Sequence, residues 1–235
     1  MSRAGRKYLE KKKLIEKGKH YALPEALQLV KETARAKFDE SIDLAMKLGA
    51  EPKKHSVRGT VVLPAGSGKT KKVAVISKAD KIKEAEEAGA DVVGGEDLAE
   101  KIKNGFLDFD VLIVTPDMMG VVGRLGKTLG PKGLMPNPKS GTVTMEIGKT
   151  VKEFKGGKTE FKMDKGAALH MVLGKVSFEA ADLEKNFMAA LSAILQVKPS
   201  GLKGNYIESI TISGSMGPGI KIDPRVAVEK AERAV

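Results

Sequence analysis

The stretch VAVISKADKIKEAEEAGADVVGGEDLAEKIKNGFLDFDVLIVTP, residues 73–116, decides the architecture of the chain. VAVIS (73–77) and VLIVT (111–115) are short, nearly continuous apolar runs, the pattern of strands buried on both faces. Between them, residues 78–88 and 96–104 read as helices, and glycines stop both, Gly89 and Gly105. DVVGG (91–95) is a short strand and turn. Strand alternating with helix specifies a small parallel α/β domain. After Pro116 comes a helical stretch, then Lys127 to Pro138, rich in Gly, Pro and Lys. IGKTVKEFK (147–155) is a last helix, ended by Gly156 and Gly157.

The flanks have another character. Residues 6–17 (RKYLEKKKLIEK) form a short basic amphipathic helix, and Pro24 opens a second helix over 24–36. Phe38, Ile42, Leu44, Met46 and Leu48 then fall at even positions with mostly polar residues between them, which predicts a strand with one wet face. Another strand runs over 57–63 and stops at Pro64-Ala65-Gly66-Ser67-Gly68. Beyond residue 158 the alternation returns at 159–163 and 169–173. The longest amphipathic helix follows at 180–197, then strands at 206–213 and 220–222. Residues 224–235 are polar, helix-prone and expected to be frayed. Gly-rich hinges at 64–68 and 155–158 bracket the middle block. The reading is one domain inserted into another, with 68–158 inside a domain built from 1–67 and 159–235.

The chain has 235 residues and a formal net charge of +11, enough length for two ordinary domains and enough cationic excess to call for an anionic partner. No apolar run approaches the roughly 20 residues that span a bilayer. The first 20 residues are charged throughout and hold no signal-peptide core, so no membrane role is expected. There is no cysteine, which excludes disulfides, thiolate metal sites and a Cys nucleophile, and a cytoplasmic location fits best. His20, His55 and His170 share no zinc-type spacing, and neither a metal nor a cofactor is expected. Aromatic residues are few, seven Phe, three Tyr and no Trp, which favours RNA recognition by shape and backbone over extensive base stacking.

Four motifs carry chemistry. Gly68-Lys69-Thr70 ends a P-loop-like string, but the opening glycine would fall at Leu63, and a strand follows where a helix should begin. Gly120 to Gly133 holds closely spaced glycines that match no dinucleotide fingerprint. From Gly120 to Lys158 the basic residues, among them Arg124, Lys127, Lys132 and Lys139, outnumber the acids Glu146 and Glu153. A phosphate-contacting surface and a solvated basic loop both fit that segment. Phe38, beside Lys37, reads either as an exposed contact to sugar or base or as a core residue. Ser215-Met216-Gly217 offers a hydroxyl, a pliable apolar side chain and a bare backbone suited to a shallow RNA minor groove, or else a plain hairpin loop. No catalytic constellation is present. His170 lies on an expected strand with no Ser or carboxylate that must join it, and reads as a structural His or one near RNA.

Together AKFDESIDLAMKLG (36–49), VRGTVVLPAGSGK (57–69), EAEEAGADVVGGEDL (84–98), TPDMMGVVGRLGKTLGPKGLMPNPKSGTV (115–143) and SMGPGIKID (215–223) resemble the large-subunit ribosomal protein L-one family, most closely its bacterial form. The resemblance implies an α/β (α+β) fold of two domains: a split two-layer α/β RNA-binding domain from both chain ends, and an inserted three-layer, Rossmann-like α/β domain. It implies RNA contacts at Lys37, Phe38 and Ser41, at Lys165 and Gly166 with His170 in DKGAALH (164–170), and at Ser215, Met216 and Gly217. The family usually has Thr where this chain has Ser215, so a methyl is lost and the hydroxyl kept. Arg124, Lys127, Lys132 and Lys139 form a secondary basic surface facing RNA or tRNA. Members are non-enzymatic and belong to the mobile stalk beside the tRNA exit site. The implied partners are stalk ribosomal RNA, the protein's own messenger RNA, whose translation many members repress, and exit-site tRNA. Off the ribosome the chain is expected to be a monomer. The rivals are a nucleotide-binding enzyme using Gly68-Lys69-Thr70 and a basic binder indifferent to RNA shape.

Overall fold

The computed structural model describes residues 5–52, 54–199, 202 and 204–233. Positions 234 and 235 of the expected C-terminal helix therefore lie outside the described residues. The chain divides into two compact units, Met1–Gly68 with Thr159–Val235, and Lys69–Lys158.

In the first unit, β1 (Ser41–Leu48), β7 (Ala168–Lys175), β8 (Ile207–Gly214) and β9 (Ile220–Ile222) form an antiparallel sheet in the order β7-β1-β8-β9. Period-two alternation decides its two faces. Ile42, Leu44, Met46 and Leu48 of β1, with Leu169 of β7 and Ile210 and Ile212 of β8, are buried in one core. Onto that face pack α2 (Leu23–Thr33), α8 (Ala180–Gln196) and α9 (Pro224–Arg233). Along α8, Leu183, Phe187, Leu191 and Ile194 recur at helical spacing and are fully buried, each contributing about 1.5–3 kcal/mol of transfer free energy. The opposite face is open. Register places Ala45 beside His170 and Thr211, and Thr211 beside Lys221, in one transverse row. A separate two-stranded ladder joins β2 (Arg58–Val62) to β6 (Lys158–Lys162).

In the second unit, β3 (Val73–Ile76), β4 (Val92–Gly94) and β5 (Val111–Val114) form a parallel sheet in the order β4-β3-β5. Every residue of β3 is buried, on alternating sides. Ala74 and Ile76 enter a cluster with Leu98 and Ile102 of α4 (Glu96–Lys103) and Val122 of α5 (Met119–Gly123). Val73 and Val75 enter another with Ala85 of α3 (Ala79–Glu87) and Val151 and Phe154 of α7 (Ile147–Lys155). Helices on both faces make three layers. Gly89 and Gly105 take φ of 84° and 104° and terminate α3 and α4, and each glycine and the residue after it donate backbone N–H groups back into the last turn.

Several sequence expectations change. The first helix, α1, is Arg6–Lys12, shorter than 6–17. Phe38 is not on a strand: β1 begins at Ser41, and Phe38 sits in the bend before it. The C-terminal helix is not frayed over 224–233, because Ala227 and Ala231 are buried. The Lys127 to Pro138 stretch is not all loop: α6 (Gly126–Leu129) starts before it, held by buried Leu125 and Leu129. The 64–68 turn is fastened within its unit. Asn186 Oδ1 accepts the Ala65 N–H (3.0 Å), and Asn186 Nδ2 donates to Gly66 O (2.9 Å) and Leu173 O (2.7 Å).

Candidate nucleic-acid interface

Glu40 continues the even-numbered buried series of β1, so its carboxylate is carried into the protein with only 1% of the residue exposed. A buried carboxylate must be satisfied by donors. Oε1 accepts the N–H groups of Arg35 (2.8 Å) and Ala36 (2.7 Å), and Oε2 accepts the N–H of Met216 (3.0 Å). Burial pushes this carboxyl up, but the three N–H groups and the Arg35 charge outweigh it and hold the group below the usual carboxylate range. One side chain thus ties residues 35–41 to the turn after β8.

Further bonds fix the same two segments. Ser215 N donates to Ser41 O (3.0 Å), Ser215 Oγ accepts the Ser41 N–H (3.1 Å), and Arg35 Nε donates to Met216 O (3.1 Å). On the other flank, the Asp39 carboxylate accepts from Ser177 N (3.2 Å) and Ser177 Oγ (2.8 Å). Lys175 Nζ donates to Asp39 O (3.1 Å) and Ser41 Oγ (3.2 Å).

This frame presents two large apolar side chains to solvent, Phe38 at 56% exposure and Met216 at 51%. The core reading of Phe38 is therefore excluded. Lys37 and Ser215 are exposed beside them. Two glycines nearby behave differently. A Cβ on Gly214 would stand 2.8 Å from Glu40 Oε2, so the packing demands glycine there. A Cβ on Gly217 would find its nearest neighbour at 3.5 Å, an ordinary contact, and its φ is not positive. Nothing inside the fold requires Gly217 to lack a side chain.

Lys165 and Gly166 sit in the exposed turn before β7. Asp164 Oδ1 organises that turn by accepting the N–H groups of Gly166 (2.8 Å) and Ala168 (2.8 Å), and Ala167 takes φ of 60°. A positive φ at a residue with a Cβ stores about 1–3 kcal/mol of strain. The register sets Lys175 opposite Ser41 and Ala168 opposite Lys47, so this turn lies roughly 20 Å down the ladder from the Phe38–Met216 group. Exposed His170 stands between them, opposite Ala45. The fold thus gathers Lys37, Phe38, Ser41, Ser215, Met216 and Gly217 and sets Lys165, Gly166 and His170 apart.

Within the second unit, Arg124, Lys127, Lys132 and Lys139 are all exposed, and none has an ion pair among the described residues. Gly68-Lys69-Thr70 leads into β3 at Val73 with no helix start between, so the backbone that cradles phosphate in a P-loop is missing. Among the described residues no group of three metal-ligating side chains occurs, and no helix is long and apolar enough to cross a membrane. Sequence reasoning passed over Arg35, Glu40 and Lys175. For Glu40 a signal existed, a carboxylate in the buried register of β1.

An α+β unit with exposed ring, thioether and lysine on a hydrogen-bonded frame, in a chain of charge +11, defines a basic protein suited to an anionic macromolecule. The model of the Ribosomal protein L1p/L10e family matches residues 30–218, and the chain belongs to that family. It is an rRNA-binding protein of the large ribosomal subunit.

Proposed function

We propose that this chain is a bacterial-type member that binds one folded region of stalk ribosomal RNA by shape. The end-built domain, 1–67 with 159–235, carries the main site, and 68–158 is the inserted domain. Phe38 and Met216 enter a shallow minor groove, Ser215 and the bare backbone of Gly217 meet 2′-hydroxyls, and Lys37 holds a phosphate. Lys165, Gly166 and His170 extend the contact along the open sheet. Arg124, Lys127, Lys132 and Lys139 face RNA or exit-site tRNA, whose release the stalk assists. The same site binds a similar fold in the protein's own message and represses its translation. The protein works without catalysis or cofactor and is a monomer off the ribosome.

The observation that carries this reading is the exposure of Phe38 and Met216 on a frame pinned by Glu40. A large apolar side chain carried into water on a hydrogen-bonded backbone is ready for a partner, because the backbone part of the ordering cost is already met. The test is Met216→Asp, which puts a charge against RNA phosphates. Affinity for a stalk RNA fragment is expected to fall roughly tenfold or more with an unchanged circular dichroism spectrum. Unchanged affinity would remove the loop from the site. Titration with ATP or GTP and magnesium is expected to show no binding, and saturable binding would favour the nucleotide reading instead.

A further inference from the structure

Helix α1 is unusual within its unit because none of its side chains is buried. A helix of seven residues does not persist in water on its own propensity. Its neighbours hold it by the rim. Lys11 Nζ donates to Glu32 O (2.6 Å), and the Tyr8 ring takes the Arg35 guanidinium at 5.9 Å, while the Lys12 ammonium, 6.0 Å from the same ring, is a contact within the helix. Lys11 and Lys12 in its last turn also suit the negative end of the helix dipole.

Arg35 is the link that gives this position meaning. The guanidinium that covers Tyr8 also donates through Nε to Met216 O (3.1 Å). Helix α1 is therefore joined through one side chain to the turn that presents Met216. Over residues 6–13 the helix and its C-cap residue carry Arg6, Lys7, Lys11, Lys12 and Lys13 against Glu10 alone. Arg6, Lys7, Lys12 and Lys13 have no ion pair among the described residues. Unneutralised cations distributed around a helix held beside a shape-reading loop are placed to meet phosphates that flank the bound groove, Arg6 and Lys13 on one face of it.

We infer that α1 is a second RNA-contacting element, a basic arm that grips the phosphate backbone next to the segment seated on Phe38 and Met216. The inference rests on the proposed RNA-binding function and adds a surface to it. The arm contributes affinity and salt dependence, whereas the choice among RNA shapes stays with the Phe38–Met216 group. Leu9 and Leu14, exposed at 47% and 50%, would also suit an anionic membrane surface. The link from Tyr8 through Arg35 to Met216 favours RNA.

The test compares wild type with Lys7→Gln/Lys12→Gln/Lys13→Gln and with the charge-matched control Lys198→Gln/Arg225→Gln/Lys230→Gln. Lys198 and Arg225 line a cleft with Ile207 and Glu208, at the end of β8 remote from Met216. Glutamine suits a helix and α1 buries nothing, so the fold is expected to persist. Binding to a stalk RNA fragment and to an equal-length plain duplex is measured from low to moderate salt. The α1 variant is expected to flatten the slope of log affinity against log salt by about one unit, at roughly 0.7–0.9 per lost phosphate contact. Its preference for the fragment should be retained, and the control should keep the wild-type slope. Equal slopes in the α1 variant and the control overturn the inference and leave the proposed function standing. A wild type that binds fragment and duplex alike overturns the function, and the arm's assignment falls with it. Binding of wild type to phosphatidylserine vesicles that the α1 variant loses, with its RNA slope unchanged, replaces RNA by a lipid surface.

Discussion

The Glu40 carboxylate accepts the backbone N–H of Met216 at 3.0 Å, joining residues 176 positions apart in the chain. Its other oxygen holds the N–H groups of Arg35 and Ala36. The bend that exposes Phe38 and the turn that exposes Met216 are thus built around one buried anion, which makes Glu40 a positioning residue for the proposed RNA surface.

Glu40→Gln keeps the size but points an amide donor at N–H groups. At pH 7 it is expected to cost about 2 kcal/mol, the scale of a buried donor left unsatisfied. RNA affinity should fall with it as the two segments loosen. Urea unfolding and RNA titration of the same variant check both, and a variant as stable as wild type would show that the frame does not depend on the anion.

The pH dependence has a definite sign. The folded-state pKa of Glu40 lies below the ordinary carboxylate value, which is about 4.3 for an unfolded Glu. Its contribution is complete above the unfolded value and is lost as pH falls through the folded one. The stability gap between wild type and Glu40→Gln should therefore be constant from neutral pH to about pH 5 and shrink on further acidification. A gap that widens toward acid would contradict the assignment.

Gly217→Ala separates a structural glycine from one that serves the partner. The added Cβ meets nothing closer than 3.5 Å, so stability should stay within about 0.5 kcal/mol of wild type. RNA affinity should nevertheless drop, because the methyl occupies space that the RNA backbone needs. Unchanged affinity would mean that nothing approaches this backbone closely.

Asn186→Ala should destabilise the end-built unit by about 2–4 kcal/mol, since it strips partners from Ala65 N, Gly66 O and Leu173 O at once. Chemical denaturation with a probe in this unit measures the loss. A loss under about 0.5 kcal/mol, the ordinary range for surface changes, would show that the 64–68 turn needs no anchor.

Most of the fold was legible because burial follows periodicity. The all-apolar β3 and β5, the alternating β1 and the glycine stops of α3 and α4 each state their environment in a few consecutive residues. Two features escaped that logic. Phe38 fits the alternation of β1 by number but not by structure: the ladder begins at Ser41, and the hydrogen bonds to Asp39 and Glu40 hold a bend before it. The frame of the site was hidden too, apart from the buried register that marked Glu40, because Lys175 and Ser215 reach residues 39–41 only through sheet register. The resemblance supplied Phe38 and Met216 as proposed contact residues, while the hydrogen bonds that hold their segments come from the three-dimensional arrangement.

The most direct test of the central claim is the affinity of the wild-type protein for a folded stalk RNA fragment against an equal-length plain duplex at two salt concentrations. Recognition by shape predicts tight binding to the fragment that survives the higher salt, with the duplex bound weakly and lost as salt rises. Equal, salt-labile binding to both would contradict it and leave only a generic basic surface.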